Sequence, residues 1–293
     1  MRPALNQSPS TDAKPADSYT LRRSEPVRAP VIFASPHSGT LYPDSMIKQL
    51  SVPLTDVQRT EDAFVDELYA DAIEQGAILL SGNYARAYVD LNRDARELDS
   101  DMFEDGVPRT AGMPSARVKA GLGCLPRVGA SGRNIYAERL SKREGAYRLD
   151  WVYDRYHSAL QSEIDDLKAD WSDVYIIDCH SMPSRQPGRS SLPDIVLGDR
   201  FGSSCSAHLT SLVERHFRRE GLSVTRNAPY AGGYTTRRYG RPRRGVHVLQ
   251  IEINRGLYMN ELDVEKSAGF SNTKQQASRL IGHLLDLALH ENG

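Results

Sequence analysis

Cysteine is scarce in this 293-residue chain, and that scarcity excludes two architectures. Cys124, Cys179 and Cys205 are an odd number without CxxC spacing. They build neither a disulfide framework nor a thiolate zinc site. A reducing cytoplasm is therefore the expected compartment. Long apolar runs are also missing: none can span a bilayer, and no apolar h-region opens the chain. Net charge is nearly absent, at -1, which leaves no whole-molecule field to draw nucleic acid or an anionic membrane. Internal repeats are lacking too. What remains is 39% hydrophobic and 26% charged, enough for a sizeable core. One catalytic domain is expected over residues 31–293.

Residues 1–30 are rich in Ser, Pro, Ala and charge and carry no apolar period, so a flexible N-terminal tail is expected there. Beyond it, short apolar runs predict strands over Val31–Ala34, Ala77–Leu80, Ala87–Leu91, Val174–Ile177, Asp194–Leu197 and Val246–Ile253. Helical periods predict helices over Thr60–Gln75, Arg139–Lys168, Cys205–Glu220 and Thr273–Leu289. This alternation is the α/β pattern. The stretch from Asp94 to Gly132 is dense in Gly, Pro, Arg and Asp and is too long for an ordinary connection. Such segments usually cover a site or are partly mobile.

Two histidines, His37 and His180, stand at the carboxyl ends of apolar strands, where open α/β sheets gather ligands. A catalytic zinc takes three protein ligands, often two imidazoles and a carboxylate. Glu61 and Asp62 are both candidates for the third. Asp178, two residues before His180 on the same strand face, is placed to orient an imidazole or a neighbouring cation. Glu252 lies inside the apolar run Gln250–Ile253 and is costly to bury ionised without a partner. It suits either general acid–base work on an attacking water or a buried ion pair with Arg255. Arg86 and the run Asp90-Leu91-Asn92-Arg93 supply guanidinium groups that grip a carboxylate in bidentate fashion, or else pair with nearby acids at the surface. The Gly-rich segment Tyr230–Tyr234 is a candidate cover for a substrate. His157 and His216 fall inside helices and are expected to be packing or surface residues.

The strings PHSG, TEDA, DLNR, DCHSM and IEINRGLY occur together and in order, and together they resemble the N-formylglutamate amidohydrolase family. DLNR and the Asp-Cys-His triplet are also similar to those of aspartoacylases and succinylglutamate desuccinylases, and more distantly of zinc carboxypeptidases. The resemblance implies a three-layer αβα fold with a mixed, mostly parallel central sheet, of the zinc-carboxypeptidase and phosphorylase/hydrolase type. It implies Zn2+, or another divalent metal, held by His37, His180 and a carboxylate, with Asp62 preferred over Glu61. It implies Glu252 as general base and acid, Arg86 polarising the scissile carbonyl, and Asn92 and Arg93 receiving a substrate carboxylate. The carboxypeptidase spacing H-x-x-E is missing, because Thr40 stands where the acid would be. The implied partner is a small N-acyl amino acid, most directly N-formyl-L-glutamate, and neither nucleic acid nor a membrane. Two other readings stand beside it: a zinc carboxypeptidase or peptidoglycan amidase, which needs an open groove, and a metal-free protein that binds acidic metabolites.

Overall fold

The computed structural model describes residues 16–186 and 192–293. Its centre is a seven-stranded sheet: β1 (Tyr19–Arg23), β2 (Val31–Ser35), β3 (Ile78–Gly82), β4 (Val174–Met182), β5 (Ile195–Gly198), β6 (Val224–Arg226) and β7 (Val246–Asn254). The order across the sheet is β1-β3-β2-β4-β7-β5-β6. The inner strands β3, β2, β4 and β7 run parallel to one another, while β1 lies antiparallel to β3 and β5 antiparallel to β7. The expected mixed, mostly parallel α/β sheet is thus present.

Side chains alternate across a strand, so one run of apolar residues feeds two cores. Val174 and Ile176 of β4 and Val248 of β7 face one layer, with Leu149, Val152, Tyr156 and Leu160 of the helical stretch that ends in α1 (Asp154–Asp170). Tyr175, Ile177, Leu249 and Ile251 face the other, against Leu209, Val213 and Phe217 of α2 (Ala207–Arg219) and Leu280, Ile281 and Leu284 of α3 (Phe270–Asn292). Every residue of β4 is buried, as expected of a sheet covered on both sides. Three layers result.

Four expectations are corrected. The tail does not extend through residue 30: Tyr19–Arg23 pairs with β3 as an edge strand whose exposed, polar residues gave no strand period. Residues 1–15 lie outside the described residues. The helix over Thr60–Gln75 does not begin before Val65, because Phe64 takes a left-handed conformation at φ 66°, which a helix does not accept; it runs over Val65–Leu68 and resumes as Ala72–Gln75. Ala87–Leu91 is buried but forms turns, with Tyr88 N donating to Ala85 O. A short apolar run reports burial more reliably than it reports a strand. Finally, β4 does not stop before His180. It stays paired with β7 through Met182 and Asn254, so His180 sits within the strand.

Ile176 lies fully buried beneath the polar end of β4. Ile176→Ala should destabilise the protein by about 2–5 kcal/mol, the usual range for such a cavity. Urea unfolding checks this, and a loss under about 1 kcal/mol would place Ile176 outside the core.

Candidate active site

The strand alternation that builds the cores also builds the site. On the α1 face, β4 continues from Val174 and Ile176 to Asp178 and His180, and the neighbouring β7 continues from Val248 to Gln250 and Glu252. His180 stands opposite Glu252, and Asp178 opposite Gln250. His37 lies two residues beyond the end of β2. Its approach demands glycine at position 39, where a Cβ would come within 2.3 Å of Tyr84 O.

Asp62 lies just ahead of the short helix Val65–Leu68. Its N–H donates to His37 O at 3.1 Å, and its carbonyl accepts from Ser38 Oγ at 3.1 Å. The Asp62 carboxylate then lies between the two imidazoles, Oδ2 being 3.2 Å from His37 Nδ1 and 2.9 Å from His180 Nδ1. Glu61 points elsewhere and accepts from Tyr42 Oη. Of the two acids, Asp62 is therefore the one that meets the histidines.

One donor atom from each of His37, Asp62 and His180 lies within 4.8 Å of the others, and all three residues are buried. Two imidazoles and a carboxylate are a donor set that suits zinc and several other divalent ions. Each histidine also has an outer carboxylate: His37 Nε2 is 2.8 Å from Asp90 Oδ1, and His180 Nε2 is 2.9 Å from Asp178 Oδ1. Such partners hold the ring so that its other nitrogen faces a metal. The residues fit a divalent ion.

Asp62 Oδ1 meets two cations, Arg86 Nη1 at 3.3 Å and Arg255 Nη2 at 2.9 Å. Arg86 also donates to Asp90 Oδ2 at 3.0 Å. Burial by itself would raise the Asp62 pKa, yet the charge of Arg86 and the hydrogen bonds from both histidines hold it well below the usual carboxylate range. Asp90 is held low against the same burial by His37, Arg86 and Arg93. Burial lowers the proton affinity of His180, but Asp178 and Asp62 outweigh it and raise that affinity well above the ordinary histidine value.

Glu252 behaves oppositely. Burial, with the nearby charges of Asp62 and Asp178, pushes its pKa up to about 7 against the pull of His180 and Arg86. Gln250 Nε2 donates to its Oε1 at 2.9 Å. Arg255 is turned to Asp62, so the ion pair allowed for Glu252 and Arg255 is not the arrangement found.

These groups line a cavity of about 460 Å³. Leu122, Pro126, Val128, Gly129 and Ala130 of the long 94–132 segment wall one side, and Tyr230, Ala231, Gly232 and Gly233 wall another. Residues of both segments expected to cover a site line this cavity. Gly233 packs against Asn92, where a Cβ would come within 2.3 Å of the side-chain amide. Arg93 lines the cavity beside them, 3.9 Å from Asp90 Oδ2.

The family model for N-formylglutamate amidohydrolase matches residues 29–259. The chain belongs to the N-formylglutamate amidohydrolase family. It is 33% identical over 244 residues to an N-formylglutamate deformylase of Pseudomonas aeruginosa, covering 80% of this chain and 84% of that one. It is 29% identical to an N-formylglutamate deformylase of Pseudomonas putida with the same coverage. The crystal structure of N-formylglutamate amidohydrolase from Ralstonia eutropha JMP134 superposes with a TM-score of 0.88 at 31% identity, covering 94% of this chain and all of that one. Membership makes the protein an amidohydrolase.

Sequence reasoning missed Asp90 as the partner of His37, Arg255 as a partner of Asp62, and Gln250 beside Glu252. Asp90 and Arg255 stand in the quoted strings DLNR and IEINRGLY, but their partners are 53 and 193 residues away. Gln250 was legible as the same-face neighbour of Glu252 two residues on. His157 and His216 pack as expected: His157 lies between Tyr239 Oη and Leu91 O, and His216 against Gln276 O and His283. Among the described residues, no helix is long and apolar enough to cross a membrane.

If the three donors hold one ion, dialysed His180→Ala and Asp62→Asn proteins should retain almost no zinc, whereas Glu61→Gln should retain it. Asp178→Asn should weaken zinc affinity by about 10–100-fold, as loss of an outer partner generally does. Elemental analysis and a competing chelator read all four. Full zinc content in Asp62→Asn would remove Asp62 from the site.

Proposed function

We propose that this protein hydrolyses the amide bond of an N-acyl amino acid in a metal-dependent reaction, with N-formyl-L-glutamate as substrate and formate and L-glutamate as products. The observation that carries the reading is the shared Asp62 carboxylate between His37 and His180, set in one cavity with a carboxyl, Glu252, whose pKa is near 7. Family membership supplies the reaction class, and the relatives' names supply the acyl group and amino acid. Zn2+ is the metal we assign. Bound there, it would polarise the scissile carbonyl and lower the pKa of water.

The protein's own groups do the rest. Glu252, buried and ionised, takes a proton from the attacking water and returns it to the leaving amine; a pKa near neutrality favours both transfers. Arg86 reaches the cavity while tied to Asp62 and Asp90. That anchoring fixes its guanidinium where it can stabilise the developing oxyanion. Arg93 receives a substrate carboxylate. Asn92, expected to share that task, has its side-chain amide committed: Nδ2 donates to Asp178 Oδ2 at 3.2 Å and lies 2.8 Å from His180 Nε2. Its Oδ1 accepts from Thr235 N at 2.8 Å and Thr235 Oγ1 at 3.0 Å. We therefore assign Asn92 to positioning His180 and the 230–235 segment.

The wall formed by the 94–132 segment supports a small substrate over the extended chains that a carboxypeptidase or peptidoglycan amidase takes. A metal-free binding protein has no use for a proton-transfer carboxyl beside a metal-ligand set, and so accounts for less of the site.

Arg86→Ala should fold normally and lose about 100-fold or more in kcat, the usual consequence of removing one oxyanion donor. Near-normal turnover of N-formyl-L-glutamate would take Arg86 out of the mechanism. A base must be ionised to accept a proton, so activity should fall as pH drops through the Glu252 pKa. A bound cation lowers that pKa, so kcat/KM should show an acidic limb with its midpoint at or below about 7. Glu252→Gln should abolish turnover while leaving zinc content intact; substantial residual activity would rule out the base role.

A further inference from the structure

The outer wall of the cavity carries a cation that the reaction above leaves unused. Five arginines line the cavity against three carboxylates, those of Asp62, Asp90 and Glu252. Arg86 and Arg255 are bound to Asp62, and the Arg59 guanidinium is bound to the carbonyl of Leu262. Arg93 and Arg117 remain. Among the described residues, Arg93 donates only to the carbonyls of Leu122 and Asn92, beyond its 3.9 Å separation from Asp90. Among the described residues, the Arg117 guanidinium has no hydrogen-bond or ion-pair partner.

The two arginines are set beside each other by the backbone. Leu122 O accepts from Arg93 Nε at 3.4 Å, and Leu122 N donates to Arg117 O at 2.9 Å. The turn that carries Arg117, Ala116–Lys119, is capped by Ser115 Oγ accepting from Val118 N at 3.3 Å. Further along, Cys124 N donates to Glu97 O and Asp90 N to Cys124 O, both at 2.8 Å, which laces the segment to the motif that carries Arg93. Arg117 is therefore mounted on a tied backbone. The charge of Arg93 is the strongest influence on it, and with partial burial it holds the Arg117 guanidinium below its ordinary pKa; Glu97 and Asp90 oppose this more weakly. Two like charges face one cavity, and an anion between them would relieve their repulsion.

We propose that Arg117 determines specificity by receiving the second carboxylate of a dicarboxylic N-acyl amino acid whose first carboxylate is held by Arg93. This rests on the reading of the cavity as an acyl-amino-acid site. It gives the site a preference for a dianion, which hydrolysis of the amide bond by itself does not require. It also gives the long 94–132 segment a task beyond excluding water.

The test uses glutarate and its monoamide, which share a carbon chain and differ by one negative charge, binding to the zinc-loaded wild type, Arg117→Gln and Arg117→Lys by calorimetry. A charge-assisted hydrogen bond contributes roughly 1.5–3 kcal/mol, or about ten- to a hundredfold in affinity. The wild type should prefer glutarate by that factor. Arg117→Gln should lose the preference through glutarate alone, and Arg117→Lys should keep part of it. In turnover, Arg117→Gln should raise KM for N-formyl-L-glutamate by a similar factor, with far smaller changes for N-formyl-L-glutamine. Equal weakening of both acids, unchanged binding, or a wild type that does not discriminate would each overturn the proposal and leave Arg117 a solvated rim residue. Absence of turnover of both formyl compounds by the wild type would overturn the amide reading instead, while the glutarate comparison still decides for or against Arg117.

Discussion

A single buried carboxylate organises the polar half of this protein. Asp62 is about 1% exposed, and an ionised carboxylate in such a place is strongly unfavourable unless it is paired and hydrogen-bonded. Four groups satisfy it: His37 and His180 at Oδ2, Arg86 and Arg255 at Oδ1. They come from the end of β2, from β4, from the segment after β3 and from the end of β7. The carboxylate thus gathers the ends of the inner sheet. Each partner offsets part of the cost of burying that charge.

That cluster sits on a sheet whose geometry delivers it. Because β4 and β7 are parallel and in register, the face that buries Val174, Ile176 and Val248 must carry Asp178, His180, Gln250 and Glu252 further on. Core and chemistry share one face and differ only in how far along the strand they lie. The pKa values of the two acids nearest the reaction then diverge for environmental reasons. Asp62 is surrounded by cations and stays ionised, whereas Glu252 is more nearly surrounded by burial and other acids and is pushed towards neutrality. A pair separated in this way can divide the work between holding a cation and moving a proton.

The walls decide what reaches these groups. The 94–132 segment and the glycine-bearing 230–233 segment are joined to the site through Arg93, Asn92 and Thr235. Loops on a rigid sheet are where relatives of one fold come to differ in substrate. Here the segment that walls the cavity also brings the Arg117 guanidinium to it.

Much of this was legible from the residues alone. The apolar runs identify the inner strands, because a strand covered on both faces must be continuously apolar. His37, His180 and Glu252 stand out because polar residues in or beside such runs need partners. The ordered motifs from PHSG to IEINRGLY identify the family. Less was legible where burial and conformation part company: Ala87–Leu91 is as apolar as a strand but turns, and Tyr19–Arg23 is polar yet pairs as one. The choice of Asp62 over Glu61 rests on the contacts of each carboxylate, Asp62 on the two histidines and Glu61 on Tyr42. Arg255 and Arg117 acquire their meaning only from neighbours far away in sequence. Residue type and period thus determined which segments must be buried and which chemistry was present, because hydrophobicity and charge are local properties. Only the tertiary structure decided which acid meets which base, because that depends on three-dimensional distance.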